Sequence, residues 1–204
     1  MSESLRGGLA VFALLALACP ASAEDWGFAI SGFVFDPPDD SPYFSPIFTA
    51  DRGALHLEGR YNYEGLDTGS MFVGRNFEAG ENVTLSAVPM FGLVLGSTTG
   101  VAPGVEIEIA WRKLALYTET EYVIDLEASE DSFLYTWLEA TVAPVDWLRF
   151  GLVSQRTRTY ETGLDIQRGL LIELSRGSLS FGFHWFNPDR REDQIFAYAV
   201  GYEF

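Results

Sequence analysis

Cysteine and histidine are scarce in this 204-residue chain, which has one Cys and two His. The single cysteine, Cys19, lies in an N-terminal segment that contains Arg6, an apolar run at residues 9–19 and the small residues 21–23. These features are typical of a secretory signal peptide, and the run is too short for a spanning helix, which needs about 20 apolar residues. We therefore predict a signal peptide at residues 1–23 and a mature chain, 24–204, without thiol or disulfide chemistry.

Basic residues are also few. The chain has 13 Lys and Arg against 29 Asp and Glu, a formal net charge of −16. Removal of residues 1–23 takes away one residue of each sign, Glu3 and Arg6, and leaves that charge unchanged. Nucleic-acid binding relies on basic patches, so we expect no nucleic-acid partner.

Helical periodicity and long apolar runs are missing after the signal segment. The chain consists instead of short alternating runs separated by Gly, Pro, Asp and Asn, which predicts β-strands. Residues 53–64 show this most clearly, with an apolar face of Leu55, Leu57, Tyr61 and Tyr63 and a polar face of His56, Glu58, Arg60, Asn62 and Glu64. Residues 104–112 and 178–186 repeat the pattern.

Alternation occurs both in soluble β-sandwiches and in membrane barrels. Three features favour the barrel: runs of about ten residues, the length that crosses a bilayer at a tilt; aromatic residues near the ends of the runs; and polar faces rich in Glu, Arg, Asn, Thr and Gly. We predict an all-β fold, a single antiparallel transmembrane β-barrel with short periplasmic turns and longer external loops.

Twelve strands satisfy the rule that such barrels have an even number with both ends in the periplasm. The expected strands lie at about 26–35, 43–50, 54–64, 68–77, 82–95, 103–112, 114–125, 132–142, 147–160, 164–175, 178–187 and 194–204. The weakest is 43–50, because it contains Pro46 and proline is tolerated only at strand edges and bulges. Ten strands with a long first loop are the alternative.

The final segment, FAYAVGYEF, places Tyr198, Val200, Tyr202 and Phe204 on one face. It resembles the C-terminal recognition segment of bacterial outer-membrane β-barrels, in which a terminal Phe follows apolar residues at alternate positions. The resemblance implies a location in the outer membrane of a Gram-negative-type bacterium. It also implies that the barrel-assembly machinery engages these four residues during biogenesis.

The polar faces predict an acidic lumen. The expected inward carboxylates are Glu58, Glu64, Glu106, Glu108, Glu119, Glu121, Glu139, Asp165 and Glu173, and the expected inward cations are Arg60, Arg112 and Arg149, with His56 beside them. Surplus carboxylates would favour cations along a water-filled path, whereas full ion pairing would form a plug. Twelve strands lie between the filled eight-strand barrel and the sixteen-strand aqueous channel, so both readings stay open. No segment has the spacing of a metal-binding loop, and we expect neither a metal nor a cofactor.

Three arginines interrupt an outer face. Arg156, Arg158 and Arg168 fall where their strands should face lipid, at a cost of about 2–4 kcal/mol in mid-bilayer but about 0–1 near the interface. Either they lie beyond the hydrocarbon and contact lipopolysaccharide phosphates, or a β-bulge turns Arg156 and Arg158 inward. We favour the lipopolysaccharide contact.

Catalysis is the main functional alternative. His56 and His184 could act as bases, but neither has the serine two residues away that outer-membrane phospholipases carry beside their histidine. We therefore predict a narrow porin-like channel for small solutes or ions with a cation-favouring lumen. An enzyme acting on lipid or lipopolysaccharide, and a closed structural or adhesion barrel, are the alternatives. The sequence does not set the oligomeric state.

Overall fold

The computed structural model describes residues 25–38, 40–159 and 163–204; the predicted signal peptide lies outside them. These residues form thirteen strands: β1 (Gly27–Asp36), β2 (Tyr43–Arg52), β3 (Leu55–Tyr61), β4 (Thr68–Arg75), β5 (Phe77–Ala79), β6 (Val83–Gly96), β7 (Gly100–Trp111), β8 (Leu114–Asp125), β9 (Phe133–Val145), β10 (Leu148–Thr159), β11 (Gly163–Arg176), β12 (Leu179–Phe186) and β13 (Ile195–Glu203). Two single-turn 3-10 helices occupy Ser129–Asp131 and Arg191–Asp193. Within the described residues, no helix has the length and apolarity needed to cross a membrane.

The strands close into one antiparallel barrel of twelve. Apart from β4 and β5, which both pair with β6, each strand pairs with its neighbours in the chain, and β13 pairs with β1. The three-residue β5 continues β4 along β6 after an interruption at Asn76, whose backbone N–H donates to the carbonyl of Ala54 (2.9 Å). The prediction of a twelve-stranded all-β transmembrane barrel is confirmed. A closed sheet leaves no unpaired edge, which is the condition for a β-structure in lipid.

The weakest predicted strand, around Pro46, is present as β2. It pairs with β1 from Tyr43 to Asp51, and Pro46 lies opposite Gly32. Its pairing with β3 begins one residue later, at Ile47 opposite Arg60. Pro46 therefore occupies a position paired on one side only, where a residue without an N–H is tolerated. The ten-strand alternative is wrong.

Alternate residues divide into an apolar outer face and a mostly polar inner face. Met71 on β4 is 75% exposed while its neighbour Phe72 is 3% exposed. The same change of side recurs along β8, where Leu116 is exposed and Glu119 is completely buried. The outer face suits lipid, and the inner face is a side-chain-filled lumen.

The two ends of the barrel differ. At one end the connections have two or three residues, at 53–54, 80–82, 112–113, 146–147 and 177–178; we call this the short-turn end. The other, the long-loop end, carries 37–42, 62–67, 126–132 and 187–194. Trp26, Trp111 and Trp147 are exposed at the short-turn end, and Arg112 lies 5.0 Å above the Trp111 ring. This arrangement is an aromatic girdle at a membrane interface.

Some expected boundaries were wrong, and two residues expected in the lumen are not buried. β7 begins at Gly100, so the predicted loop 96–102 shrinks to 97–99, and β3 ends at Tyr61, where Asn62 takes a left-handed backbone (φ 55°). Arg112 and Asp165, both expected in the lumen, are exposed. Arg112 belongs to a tight turn (φ 56°), and Asp165 lies near the long-loop end of β11 beyond the packed interior.

A lipid-facing outer surface predicts a depth-dependent cost for added charge. Phe91 lies near the middle of β6 and Val83 at its short-turn end, and both are about half exposed. We expect Phe91→Arg to destabilise the barrel by about 2–4 kcal/mol and Val83→Arg by about 0–1 kcal/mol, measured by urea unfolding from lipid vesicles. Equal costs at the two positions would contradict the assignment of this face to lipid.

Candidate functional site

A single guanidinium lies among five buried carboxyl groups inside the barrel. Arg60 of β3 contacts five carboxylates within 4 Å: a direct bond to Glu58, and Glu119 (2.7 Å), Glu121 (3.1 Å), Glu64 (3.6 Å) and Glu106 (3.8 Å). We call these six residues the Arg60 cluster. Glu58 is its neighbour on β3, Glu106 comes from β7, Glu119 and Glu121 from β8, and Glu64 from the loop 62–67. The guanidinium thus spans the lumen from β3 to β8.

The strand register makes this cation necessary. Glu106 and Glu119 are direct cross-strand partners on β7 and β8, and like charges opposite each other destabilise a sheet. Glu121 is two residues further along the same face of β8. Arg60 lies within reach of all three carboxylates and offsets their repulsion.

Two aromatic rings hold the guanidinium in place. The Arg60 guanidinium carbon is 4.5 Å from the ring centre of Tyr63 and 4.4 Å from that of Phe72. Phe72 reaches this position because its cross-strand partner on β6 is Gly92. A Cβ at Gly92 would lie 2.4 Å from the Phe72 ring, so this glycine leaves the space that the ring fills.

His56 extends the Arg60 cluster toward the short-turn end. Its Nδ1 lies 2.9 Å from Oδ1 of Asp51, its cross-strand partner, and its Nε2 lies 3.2 Å from Oε2 of Glu58. Ionised carboxylates only accept hydrogen bonds, so both contacts are made together only by a ring with a proton on each nitrogen. Asn76 also donates to Asp51 (2.7 Å).

A second cluster lies closer to the short-turn end. Arg149 of β10 contacts Glu173 of β11 (3.0 Å) and Glu139 of β9 (3.3 Å). Glu139 also accepts a hydrogen bond from the Trp137 indole N–H (3.0 Å) and lies 3.5 Å from Nε2 of His184. These five residues form the Arg149 cluster, in which two carboxylates share one guanidinium.

Aromatic side chains cross the lumen beside this second cluster. Phe33 of β1 and Trp137 of β9 pack with ring centres 5.6 Å apart, and His184 lies 5.6 Å from each. Phe186 packs edge-on against Trp137 (5.7 Å). Since β1 and β9 are nearly opposite in the barrel, these rings restrict the interior to narrow spaces between side chains.

Glu106 and Glu108 join the two clusters along β7. Glu106 belongs to the Arg60 cluster. Glu108 lies two residues closer to the short-turn end and interacts electrostatically with Arg149 and Glu139. Both residues are 7% exposed, yet Oε1 of each is buried without a hydrogen-bond partner among the described residues. Oε1 of Glu121 is in the same situation. Buried carboxylate oxygens of this kind attract water, protons or cations.

Glu64 closes the Arg60 cluster from the loop side. The Ser70 hydroxyl lies 2.8 Å from both of its carboxylate oxygens. Burial raises the pKa of Glu64, and the nearby Arg60 acts in the opposite direction. Glu64 is therefore a loop carboxylate that is buried and hydrogen-bonded by the protein.

Most of the residues predicted for the lumen lie inside the barrel. Ten of them are each less than a tenth exposed: His56, Glu58, Arg60, Glu64, Glu106, Glu108, Glu119, Glu121, Glu139 and Glu173. The polar contacts of His56 and His184 described above are with the carboxylates of Asp51, Glu58 and Glu139. Among the described residues, no group of three or more His, Cys, Asp or Glu is arranged to hold a metal ion.

The three outer arginines stay on the outer face. The register of β10 runs unbroken from Phe150 to Thr159 against both neighbours, so the alternative of a bulge turning Arg156 and Arg158 inward is wrong. Arg156, Arg158 and Arg168 are all exposed. Arg168 pairs with Asp189 of the loop 187–194 (3.1 Å).

Several interior residues were not predicted. Asp51 was missed because the expected second strand stopped at residue 50. Phe33, Trp137 and Phe186 were missed because large aromatic side chains occur on both faces of this barrel. Trp137 could have been predicted, because it lies two residues before the inward Glu139 and therefore faces the same side of the strand.

Comparison with solved structures shows a fold in common with bacterial outer-membrane porins. The KdgM porin superposes with a TM-score of 0.62 at 11% identity, over 86% of this chain and 99% of that one, and a KdgM porin in complex with disordered oligogalacturonate gives the same values. The NanC porin gives 0.58 at 10% identity, over 87% and 98%. No protein-family model matches the sequence, and a search of curated proteins gives no match.

Removing Arg60 should be far more damaging than removing an exposed arginine. Arg60→Gln leaves five buried carboxylates without their cation, and we expect a loss of about 3–5 kcal/mol in the free energy of unfolding. Arg190→Gln, which removes the same charge from the exposed loop 187–194, should change it by less than about 0.5 kcal/mol. Urea unfolding from vesicles measures both, and equal stability of the two variants would contradict the assigned role of Arg60.

Proposed function

We propose that this barrel is a narrow outer-membrane channel that admits small cations or cationic solutes. The observation that carries the proposal is the surplus of carboxylates over guanidiniums in the lumen. Five glutamates share Arg60, and Glu139 and Glu173 share Arg149. Rings of like charge set the sign of the ions that a pore favours.

The two carboxylates best suited to meet a passing ion are Glu106 and Glu108. Glu119 and Glu121 hydrogen-bond to Arg60, so their role is structural as well as electrostatic. Glu106 and Glu108 each retain a buried oxygen without a hydrogen-bond partner among the described residues. An ion that leaves the Arg60 cluster would reach Glu108 before the Arg149 cluster, along one face of β7.

Crowding in the lumen limits the size of the solute. Arg60 spans from β3 to β8, and the Phe33–Trp137 pair spans from β1 to β9. A solute has to pass between these two crossings or displace them. The channel should therefore conduct weakly and exclude large solutes.

The similarity in fold does not identify a substrate for this barrel. One solved KdgM porin is in complex with oligogalacturonate, which is a chain of carboxylated sugars. In this barrel, such a polyanion would meet buried carboxylates of the same sign, so we expect neither transport nor block by it. The location that we propose, the bacterial outer membrane after export, is supported by the porin fold and the apolar outer face.

Bilayer recordings under a KCl gradient test the proposal. We expect discrete conductance steps with a cation-selective reversal potential for residues 24–204. Replacing Glu106 and Glu108 together by Gln should lower the cation-to-anion permeability ratio about tenfold, the effect of about 1.4 kcal/mol. The matched control is Glu78→Gln, which removes an exposed carboxylate from β5 near the short-turn end and should leave the ratio unchanged.

Three results would count against the channel. A correctly folded, heat-modifiable barrel that never conducts would favour a closed structural role. An anion-selective current would contradict the proposed excess of negative charge in the lumen. A cation selectivity that survives the Glu106 and Glu108 substitutions would move the selective site elsewhere in the barrel.

A further inference from the structure

The outer wall of the barrel has a groove on β9, β10 and β11 at the side of the loop 187–194. Its volume is ≈ 600 Å³. The floor is apolar, formed by Leu138, Ala140, Leu152 and Leu170, and one side is closed by Arg168 and Asp189. The groove belongs to the lipid face and is separate from the charged lumen.

Strand register explains why this surface is hollow. Ala140, Leu152 and Leu170 form one row across the three strands, and Leu138, Ser154 and Arg168 form the next. The small residues Ala140 and Ser154 lie on diagonal positions of adjacent rows. The larger leucine and arginine side chains around them leave a depression in the outer surface.

The wall of the groove is fixed by hydrogen bonds. The Asn187 N–H donates to the Arg168 carbonyl (2.7 Å), and the Arg168 N–H donates to Oδ1 of Asn187 (3.3 Å). The Asn187 side chain also donates to the carbonyl of Asp193 (2.9 Å). These bonds tie the loop to β11, so the groove is a built feature of the fold.

The long-loop end of the groove is rich in guanidinium groups. Arg168 forms its edge, and Arg156 and Arg158 follow Ser154 on the exposed face of β10. Arg190 and Arg191 lie in the adjoining loop. The neighbouring acids are Asp165, Asp189, Glu192 and Asp193, of which Asp189 pairs with Arg168 and Asp193 with Arg190 (3.9 Å). Arg156 and Arg158 face outward from the sheet itself.

We propose that this groove binds lipopolysaccharide, with an acyl chain along Leu138, Leu152 and Leu170 and the phosphates on Arg156, Arg158 and Arg168. Arginine on a lipid-facing surface costs least at the interface, so these side chains mark the headgroup level. Leu152 is four residues from Arg156 along β10, about 13 Å along the strand in the direction of the hydrocarbon. One lipopolysaccharide molecule can place its phosphates at the headgroup level, beside the guanidiniums, and an acyl chain deeper, in the groove. Its several phosphates can pair with several arginines.

The test is native mass spectrometry of the folded barrel with lipopolysaccharide as the probe and phosphatidylglycerol as the comparison lipid. We expect one retained lipopolysaccharide molecule, bound at least tenfold more tightly than phosphatidylglycerol. Ala140→Trp fills the groove and leaves the arginines; Arg156→Gln with Arg158→Gln removes charge and leaves the groove. Each should weaken retention about tenfold or more.

Matched controls place the same changes elsewhere. Ala87→Trp alters an outward residue on β6, and Arg52→Gln with Arg75→Gln removes two exposed arginines from the short-turn end. Neither should change retention. If groove and control variants behave alike, the site is overturned; if both lipids bind equally, the groove takes any phosphate-bearing lipid and the lipopolysaccharide assignment is overturned. Should Ala140→Trp fail to fold, the arginine pair decides. None of these results depends on whether the lumen conducts.

Discussion

The constraint on which the structure depends is the complete pairing of backbone groups in a sheet that faces lipid. A strand with a free edge would expose unpaired N–H and C=O groups to hydrocarbon, so β13 must pair with β1. Closure gives every strand an inside and an outside. The outside is mostly apolar because it meets lipid, and the buried charged side chains of the spanning segments lie in a confined lumen.

Confinement then creates an electrostatic problem that two arginines partly solve. Glu106 and Glu119 are cross-strand partners in this register, so their like charges repel. Arg60 offsets this repulsion and also pairs with Glu58 and Glu121. Arg149 pairs with Glu139 and Glu173 in the same way. The compensation is incomplete, and the remaining negative charge is the feature that a cation channel would use. The channel that we propose would combine the plug and the path, because the ion pairs that narrow the lumen leave carboxylates in excess over guanidiniums.

Much of this followed from local pattern, and the rest depended on contacts across the barrel. Period-two alternation assigned Glu106, Glu108, Glu119 and Glu121 to one face, and the tight turn after Trp111 predicted that they lie together. Alternation cannot say how far a long side chain reaches, so the span of Arg60 from β3 to β8 was not foreseen. In β1, apolar residues occupy both faces, with Phe33 inside and Val34 outside, and the pattern gave no basis for placing the aromatic crossing.

The central claim is that the acidic lumen passes cations and rejects anions. The most direct measurement is radiotracer flux into proteoliposomes that contain the folded 24–204 barrel, comparing rubidium with chloride at equal concentration. The account predicts rubidium entry well above that of protein-free vesicles and chloride entry close to it. Chloride entry equal to or faster than rubidium entry, or no entry of either into vesicles with folded barrel, would contradict it.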